Sequence, residues 1–158
     1  MERIAVRRAA SEDCPRLLEL YGQLYALLRG MGVPFDLDMD GLNSLLGVML
    51  KSKMCYLAVA ETQEAKVCGF ICVTVSRMDR KLRYGQSRLA AKVNDICVDK
   101  EFQGRNVASM LLEAAEAWLR DMGVSICESE VALENEASLR FFRKQGYQPF
   151  CYLTYKDI

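Results

Sequence analysis

The sequence predicts one mixed α/β (α+β) domain, and three observations predict it. Short apolar runs and amphipathic stretches follow one another in the order β-α-α-β-β-β-α-β-α-β. Two neighbouring runs near the middle are joined by Glu61-Thr62-Gln63-Glu64-Ala65, a polar turn of hairpin length. Residues 89–133 read as strand, helix, strand, which requires a right-handed parallel crossover. The sheet therefore has to combine antiparallel and parallel pairing. At 158 residues the whole chain, 1–158, is expected to be a single domain with a substantial core. No internal repeat, low-complexity tract or linker interrupts it.

Residues 3–8 alternate, with Ile4 and Val6 on one face, as a half-buried first strand does. Ser11 is placed to cap a first helix, and Pro15 falls early enough to be tolerated. Leu17, Tyr21, Leu24 and Leu28 form a face of that helix; Gly30 and Gly32 end it. Residues 31–37 contain Pro34 and form a loop. A second helix starts near Asp38 or Asp40. Its stripe is Leu42, Leu45, Leu46, Met49 and Leu50. Strands follow at residues 55–60 and 66–76. Gly69, inside the second, marks a bulge or a close approach of two backbones. Residues 78–86 are a charged connection, and residues 89–98 are the next strand. The helix that follows carries Ala108, Leu111, Ala115, Trp118 and Met122 on one face and stops at Gly123. Residues 124–133 are a strand, 135–145 a short helix closed by Gly146, and 147–155 a last strand.

Composition removes several classes of function. Apolar residues make up 51% and charged residues 27%, which describes a soluble globular chain. Lys+Arg and Asp+Glu both number 21, which argues against nonspecific nucleic-acid binding and a polybasic membrane anchor. No apolar run reaches the length of a membrane span. The opening residues MERIAVRRAASED carry charges where a signal peptide needs an apolar core, so a cytoplasmic location is expected. The seven cysteines are an odd number, and Cys55, Cys72, Cys97, Cys127 and Cys151 sit in apolar strand-like runs. They are expected to be reduced and buried. There is no CxxC, and Cys68 and Cys72 lack a second pair, so no metal is expected. The chain has no histidine. Ser–His and Cys–His nucleophiles, HExxH sites and histidine bases are thereby excluded.

The chemistry concentrates in residues 93–112, VNDICVDKEFQGRNVASMLL. An apolar strand passes through a polar turn into Gln103-Gly104-Arg105-Asn106-Val107-Ala108 and straight on into a helix. Such a unit presents backbone N–H groups and the positive end of a helix dipole to an anion. Neither GxxxxGK[ST] nor GxGxxG is present. The segment does resemble the [QR]xxGx[GA] loop of the GNAT superfamily of acyl-CoA-dependent N-acyltransferases. A second segment resembles that family's NxxAxxxYEKxGF ending. It comprises Glu130-Val131, Asn135 and Phe141-Phe142-Arg143-Lys144-Gln145-Gly146-Tyr147. The order of elements fits from Ile4 to Tyr155, so the resemblance covers nearly the whole chain.

The resemblance implies a largely antiparallel central sheet flanked by helices, with a splayed parallel strand pair. It implies acetyl-CoA as cosubstrate. Ile96, Cys97 and Val98 would offer backbone groups to the pantetheine and thioester. Gln103, Gly104, Arg105, Asn106, Val107, Ala108 and Ser109 would hold the pyrophosphate, and Asn135 would contact CoA from the opposite side. Two positions depart from the family pattern. Asn106 stands where the family usually has Gly, and Asn tolerates φ > 0 best among non-glycine residues. Phe142, in the cofactor region, stands where the family often has a Tyr that protonates the leaving thiolate. Tyr147 and Cys151 are distant replacements.

With no histidine, carboxylates are the candidate bases. Asp95 lies in the strand before the loop and is placed to take a proton from an amine, although a strand-edge carboxylate is the plainer assignment. Glu128 shares one strand face with Glu130, with a solvent-facing row as the plainer assignment. Asp36, Asp38 and Asp40 suit capping and dipole compensation. Tyr21 suits core packing more than an acceptor pocket; Tyr25 suits either. Arg105 and Lys144 meet either CoA phosphates or solvent. The expected activity is acetyl (acyl) transfer from acetyl-CoA to a primary amine by direct attack. The acceptor is a small molecule or a peptide or protein amine, and the protein a monomer or homodimer. A CoA-binding regulatory module without catalysis is the second expectation, motivated by Phe142. A third is a different anion at the same loop.

Overall fold

A computed structural model of the chain describes residues 3–158. Its strands β1 (Ile4–Arg8), β2 (Cys55–Thr62), β3 (Val67–Arg77), β4 (Leu89–Val98) and β5 (Cys127–Ser129) form one sheet in that spatial order. Among the described residues four α-helices accompany them: α1 (Cys14–Gly30), α2 (Met39–Met49), α3 (Val107–Asp121) and α4 (Glu136–Lys144). The pairings β1–β2, β2–β3 and β3–β4 are antiparallel, and β4–β5 is parallel. The predicted fold class holds, a mixed sheet with one parallel pair, and α3 is the crossover that makes that pair possible.

The sheet has a core on each face. Ile71, Val73, Ala91 and Val93 pack against Leu111, Leu112, Ala115 and Leu119 of α3. On the other face Leu57, Val59, Phe70 and Cys72 pack against Leu17, Leu20 and Tyr21 of α1 and Leu42 and Leu46 of α2. Strands β2 and β3 are covered on both sides, which is why both read as unbroken apolar runs rather than alternating ones. Gly69 of β3 is the predicted close approach. A Cβ there would meet the Cys97 carbonyl oxygen at 2.8 Å and press on Val107 and Leu111. Only glycine lets β3, the end of β4 and the start of α3 converge at that point.

A bulge in β4 sets up everything that follows. Cys72 faces Asp95 and Val73 faces Val93, so Asn94 is the extra residue. Before the bulge, Ala91 and Val93 point into the α3 core. After it, Ile96 and Val98 take that face, while Asp95 and Cys97 turn toward α1. The inserted residue thus reverses the inward and outward alternation of the strand. β5 then leaves: pairing runs from Ala91↔Cys127 to Val93↔Ser129 and stops. The rest of β4 has no strand on that side among the described residues.

The structure corrects three sequence expectations. Ser11 does not cap the first helix; Ser11–Asp13 form a 3-10 turn, and α1 begins at Cys14. Asp13 is the reason, because its carboxylate accepts from Ala10 N–H at 2.8 Å and pairs with Arg7 at 2.7 Å. The strand expected over 124–133 shortens to Cys127–Ser129 as the chain peels away from β4. The last strand, 147–155, is absent: residues 147–158 take no regular structure. Its sequence pattern suits a strand, but Phe150, Tyr152, Leu153 and Tyr155 lie exposed. A strand needs an edge to pair with, and the short β5 presents little of one.

Candidate active site

The loop after β4 is held by one buried carboxylate. Asp99 pairs with Arg16 of α1 and accepts from Glu101 N–H at 3.2 Å. Burial pushes its pKa up, but the Glu101 N–H and the Arg16 guanidinium bring it below the usual carboxylate range. Asp99 N–H donates to the Cys68 carbonyl at 2.9 Å, keeping the end of β4 on β3. Phe102 is buried beneath the turn, and Gln103 Nε2 donates back to the Val98 carbonyl at 3.2 Å. Beyond these anchors Gln103, Gly104, Arg105 and Asn106 are exposed.

Two residues turn the loop through the left-handed region, Gly104 at φ 76° and Asn106 at φ 64°. Asn106 therefore takes the conformation expected of it as the glycine substitute. It is also the N-cap residue of α3, yet its side chain makes no capping bond. Val107, Ala108 and Ser109 begin the helix with no side chain capping their amides, and the positive end of the helix dipole opens onto the loop. Arg105 lies over the Phe102 ring at 5.1 Å. Ser109 Oγ accepts from Gln145 Nε2 of the turn after α4 at 3.1 Å, tying the two helices together beside the loop.

Where β5 departs from β4 a cleft opens. Its walls are Val93, Asn94, Asp95 and Ile96 on one side and Ser129, Glu130, Val131 and Ala132 on the other. Leu24 and Leu28 of α1 and Asn135, Ser138 and Phe142 close it. Ile96, Cys97 and Val98 lie on the stretch of β4 with no β5 partner, so backbone groups pointing away from β3 face this space. Cys97 is no nucleophile. Burial pushes its thiol up to about 11, and it donates to the Leu20 carbonyl at 3.6 Å.

Asp95 is the ionisable group that the bulge delivers to the cleft. The Tyr21 hydroxyl donates to Asp95 Oδ2 at 3.1 Å and the Tyr25 hydroxyl to Oδ1 at 3.5 Å. Burial raises the Asp95 pKa above the ordinary carboxylate value, against the two tyrosines and Lys92. Tyr21 is both core and site: its ring lies 4.4 Å from that of Phe70 while its hydroxyl serves Asp95. The assignment of Tyr21 to packing missed the second half. The signal was present, because Tyr21 and Tyr25 are four apart and share a helix face.

The two candidate carboxylates separate. Glu128 sits on β5 opposite Lys92, exposed, and lines none of the cleft. Glu130 does line it and pairs with Lys92. Asp38 caps α2 by accepting from Gly41 N–H at 3.0 Å, as the plainer assignment has it, whereas Asp36 caps nothing and pairs with Arg29 at 3.2 Å. Lys144 is exposed near the end of α4. Asn135 is buried, lines the cleft and caps α4, its Oδ1 accepting from Ser138 N–H at 3.1 Å. Phe142 is buried in the same wall, with Tyr147 edge-on at 5.0 Å. The Tyr147 hydroxyl is buried with no hydrogen-bond partner among the described residues, and Tyr147 lines none of the cleft. Cys151 is exposed in the terminal segment.

Comparison with known proteins gives the family and the fold. The family model described as the acetyltransferase (GNAT) family matches residues 15–147. The chain is 24% identical over 146 residues to the uncharacterized N-acetyltransferase MJ1207 of Methanocaldococcus jannaschii, covering 90% of this chain. It spans about 60% of the length of that relative. Among solved structures, a tetramutant of the BH1408 protein from Bacillus halodurans superposes with a TM-score of 0.82 at 17% identity, covering 98% of this chain and 99% of that one. The aminoglycoside N-acetyltransferase AAC(6')-Iy, solved with CoA, gives 0.81 at 17% identity, with 100% and 96% covered. The family match extends from α1, through the bulged strand, the loop and α3, to the turn after α4. The chain belongs to the GNAT family of acetyltransferases.

Proposed function

We propose that the protein transfers an acetyl (acyl) group from acetyl-CoA to a primary amine by direct attack. The observation that carries this reading is the placement of Asp95. It is a carboxylate of raised pKa in the cleft where β4 and β5 part, on the strand that leads to the bare start of α3. The loop 103–109 binds the pyrophosphate, and the pantetheine enters the cleft alongside Ile96, Cys97 and Val98. An amine arrives as an ammonium and cannot attack until it loses a proton. Asp95, aligned by Tyr21 and Tyr25, accepts that proton. A backbone N–H near Val98 polarises the thioester carbonyl. Glu128 contributes only through water, since it stands outside the cleft. Several structural neighbours are aminoglycoside N-acetyltransferases, which supports an amine acceptor, whether a small molecule or a peptide or protein amine.

Release of CoA thiol from acetyl-CoA across an amine panel tests the reading. Turnover should fall as pH drops through the raised pKa of Asp95, because only the ionised carboxylate accepts a proton. Asp95→Asn should lose most activity near neutral pH and least at high pH, where the amine is already neutral. Equal activity of the two proteins at every pH would remove Asp95 from the role. One observation favours a second reading, a CoA-binding module without catalysis. Phe142 brings no proton donor to its wall of the cleft. Tight CoA binding with no turnover on any amine would select it.

A further inference from the structure

Asn135 is committed at one end and free at the other. Its Oδ1 accepts the Ser138 N–H at 3.1 Å, which fixes the plane of the carboxamide. Only an oxygen can accept that N–H, so the amide nitrogen must occupy the opposite end of the group. Nδ2 has no hydrogen-bond partner among the described residues. The residue is only 8% exposed, and that exposure faces the cleft it lines. Its backbone is fixed as well, with Asn135 N–H donating to the Ala132 carbonyl at 2.9 Å. The amide nitrogen is open to the cleft, so its two unused donors are held in place for an acceptor that enters there. Its surroundings narrow what that atom is. Asn135 shares its wall with the apolar Phe142, across from the free stretch of β4.

On the reading of the site given above, we propose that Asn135 Nδ2 is the donor that stabilises the departing thiolate. It does the work a proton donor at position 142 would do, without transferring a proton. In the step, the amine nitrogen bonds to the thioester carbonyl carbon, and the C–S bond breaks with its electron pair passing to sulfur. The ammonium gives one proton to Asp95 before it attacks, and the nitrogen loses its second proton to solvent as the amide forms. The sulfur leaves as an anion, accepting a hydrogen bond from Nδ2, and is protonated later by solvent. A fixed amide donor resists deprotonation, so this arrangement adds no falling limb to the rate profile at high pH.

The test separates donation from capping. Ser and Asp are both good N-cap residues, so Asn135→Ser and Asn135→Asp keep the helix start; Asp has no donor, and Ser offers only a hydroxyl on a shorter side chain in place of the amide. Both variants should melt within a few degrees of the wild type. Asn135→Ser should lower kcat roughly a hundred- to a thousandfold, the scale of one lost anion donor, with KM for acetyl-CoA little changed. Asn135→Asp should lower it further, because a carboxylate repels the thiolate. Phe142→Tyr should restore most of the kcat lost in Asn135→Ser, and the rescued enzyme should gain a falling limb at high pH as the phenol ionises. Three results would overturn the proposal. They are kcat unchanged in Asn135→Ser, a KM increase alone, or no rescue by Phe142→Tyr. Absence of turnover in the wild type with every amine would instead overturn the acetyltransferase reading on which the proposal rests.

Discussion

Helices α3 and α4 both begin at an asparagine, and the two asparagines do opposite things. Asn135 sits at φ −87° and turns its side chain inward to cap Ser138 N–H. Asn106 sits at φ 64°, its side chain makes no capping bond, and the first amides of α3 are left for something else. The residue type is the same, so the backbone decides. An N-cap side chain reaches the helix amides from φ/ψ values in or near the extended region. The left-handed turn at Asn106 carries the side chain away while keeping the chain tight enough for a ligand to approach. One helix start is closed by its own protein. The other is held open, which destabilises the free protein slightly and readies it for an anion.

The largest expected effect breaks the open end. Ala108→Glu should place a negative, bulky group where a phosphate belongs and abolish thermal stabilisation by CoA. Stabilisation equal to that of the wild type would remove residues 103–109 from cofactor binding. A smaller effect tests the backbone itself. Asn106→Val forces a β-branched residue into the left-handed region, at roughly 1–2 kcal/mol, and should weaken CoA binding along with the fold. Asn106→Gly should keep both, because glycine adopts that conformation freely. If both variants bind CoA equally well, the left-handed turn is not what holds the loop in shape. The smallest effect comes from the closed end. Asn135→Ala removes a cap and should lower stability by about 1 kcal/mol in a denaturant titration. The matching change at Asn106 to Ala removes no cap, so its whole cost should be backbone strain.

Asp95 and Asp13 give a second contrast, between a carboxylate kept for use and one kept for structure. Arg7 hydrogen bonds hold Asp13 below the usual carboxylate range, against its burial and with help from Ala10 N–H. Its stabilising contribution is present above the ordinary pKa of about 3.9 and is lost as pH falls through the lower folded value. Asp95 is shifted the other way by burial. Its ionisation costs stability as pH rises from about 3.9 through the raised folded value. Asp95→Asn should therefore raise the melting temperature at pH 7 relative to pH 4 while lowering turnover. Asp13→Asn should destabilise at pH 7 and matter little in acid. A melting temperature for Asp95→Asn that drops at pH 7 would show that the tyrosine hydrogen bonds outweigh the cost of burying the charge.

What the sequence by itself determined was the local logic. The apolar runs of β2, β3 and β4, the stripes of α1, α2 and α3 and the small-residue loop into α3 were all legible. Each is set by residues close together in the chain. Even Asn106 could be assigned a positive φ, because that preference belongs to the residue type. Tertiary structure decided the rest. The bulge at Asn94 carries no sequence mark, yet it turns Asp95 toward α1. The meeting of Asp95 with Tyr21 and Tyr25 spans seventy or more residues and depends on how α1 packs on β3 and β4. Glu128 and Glu130 share a strand face by alternation, but only the early departure of β5 leaves one outside the cleft and the other in its wall. The strand pattern at 147–155 came to nothing for the same reason. A strand is a relation between two segments, and the alternation of one cannot report whether the other offers an edge.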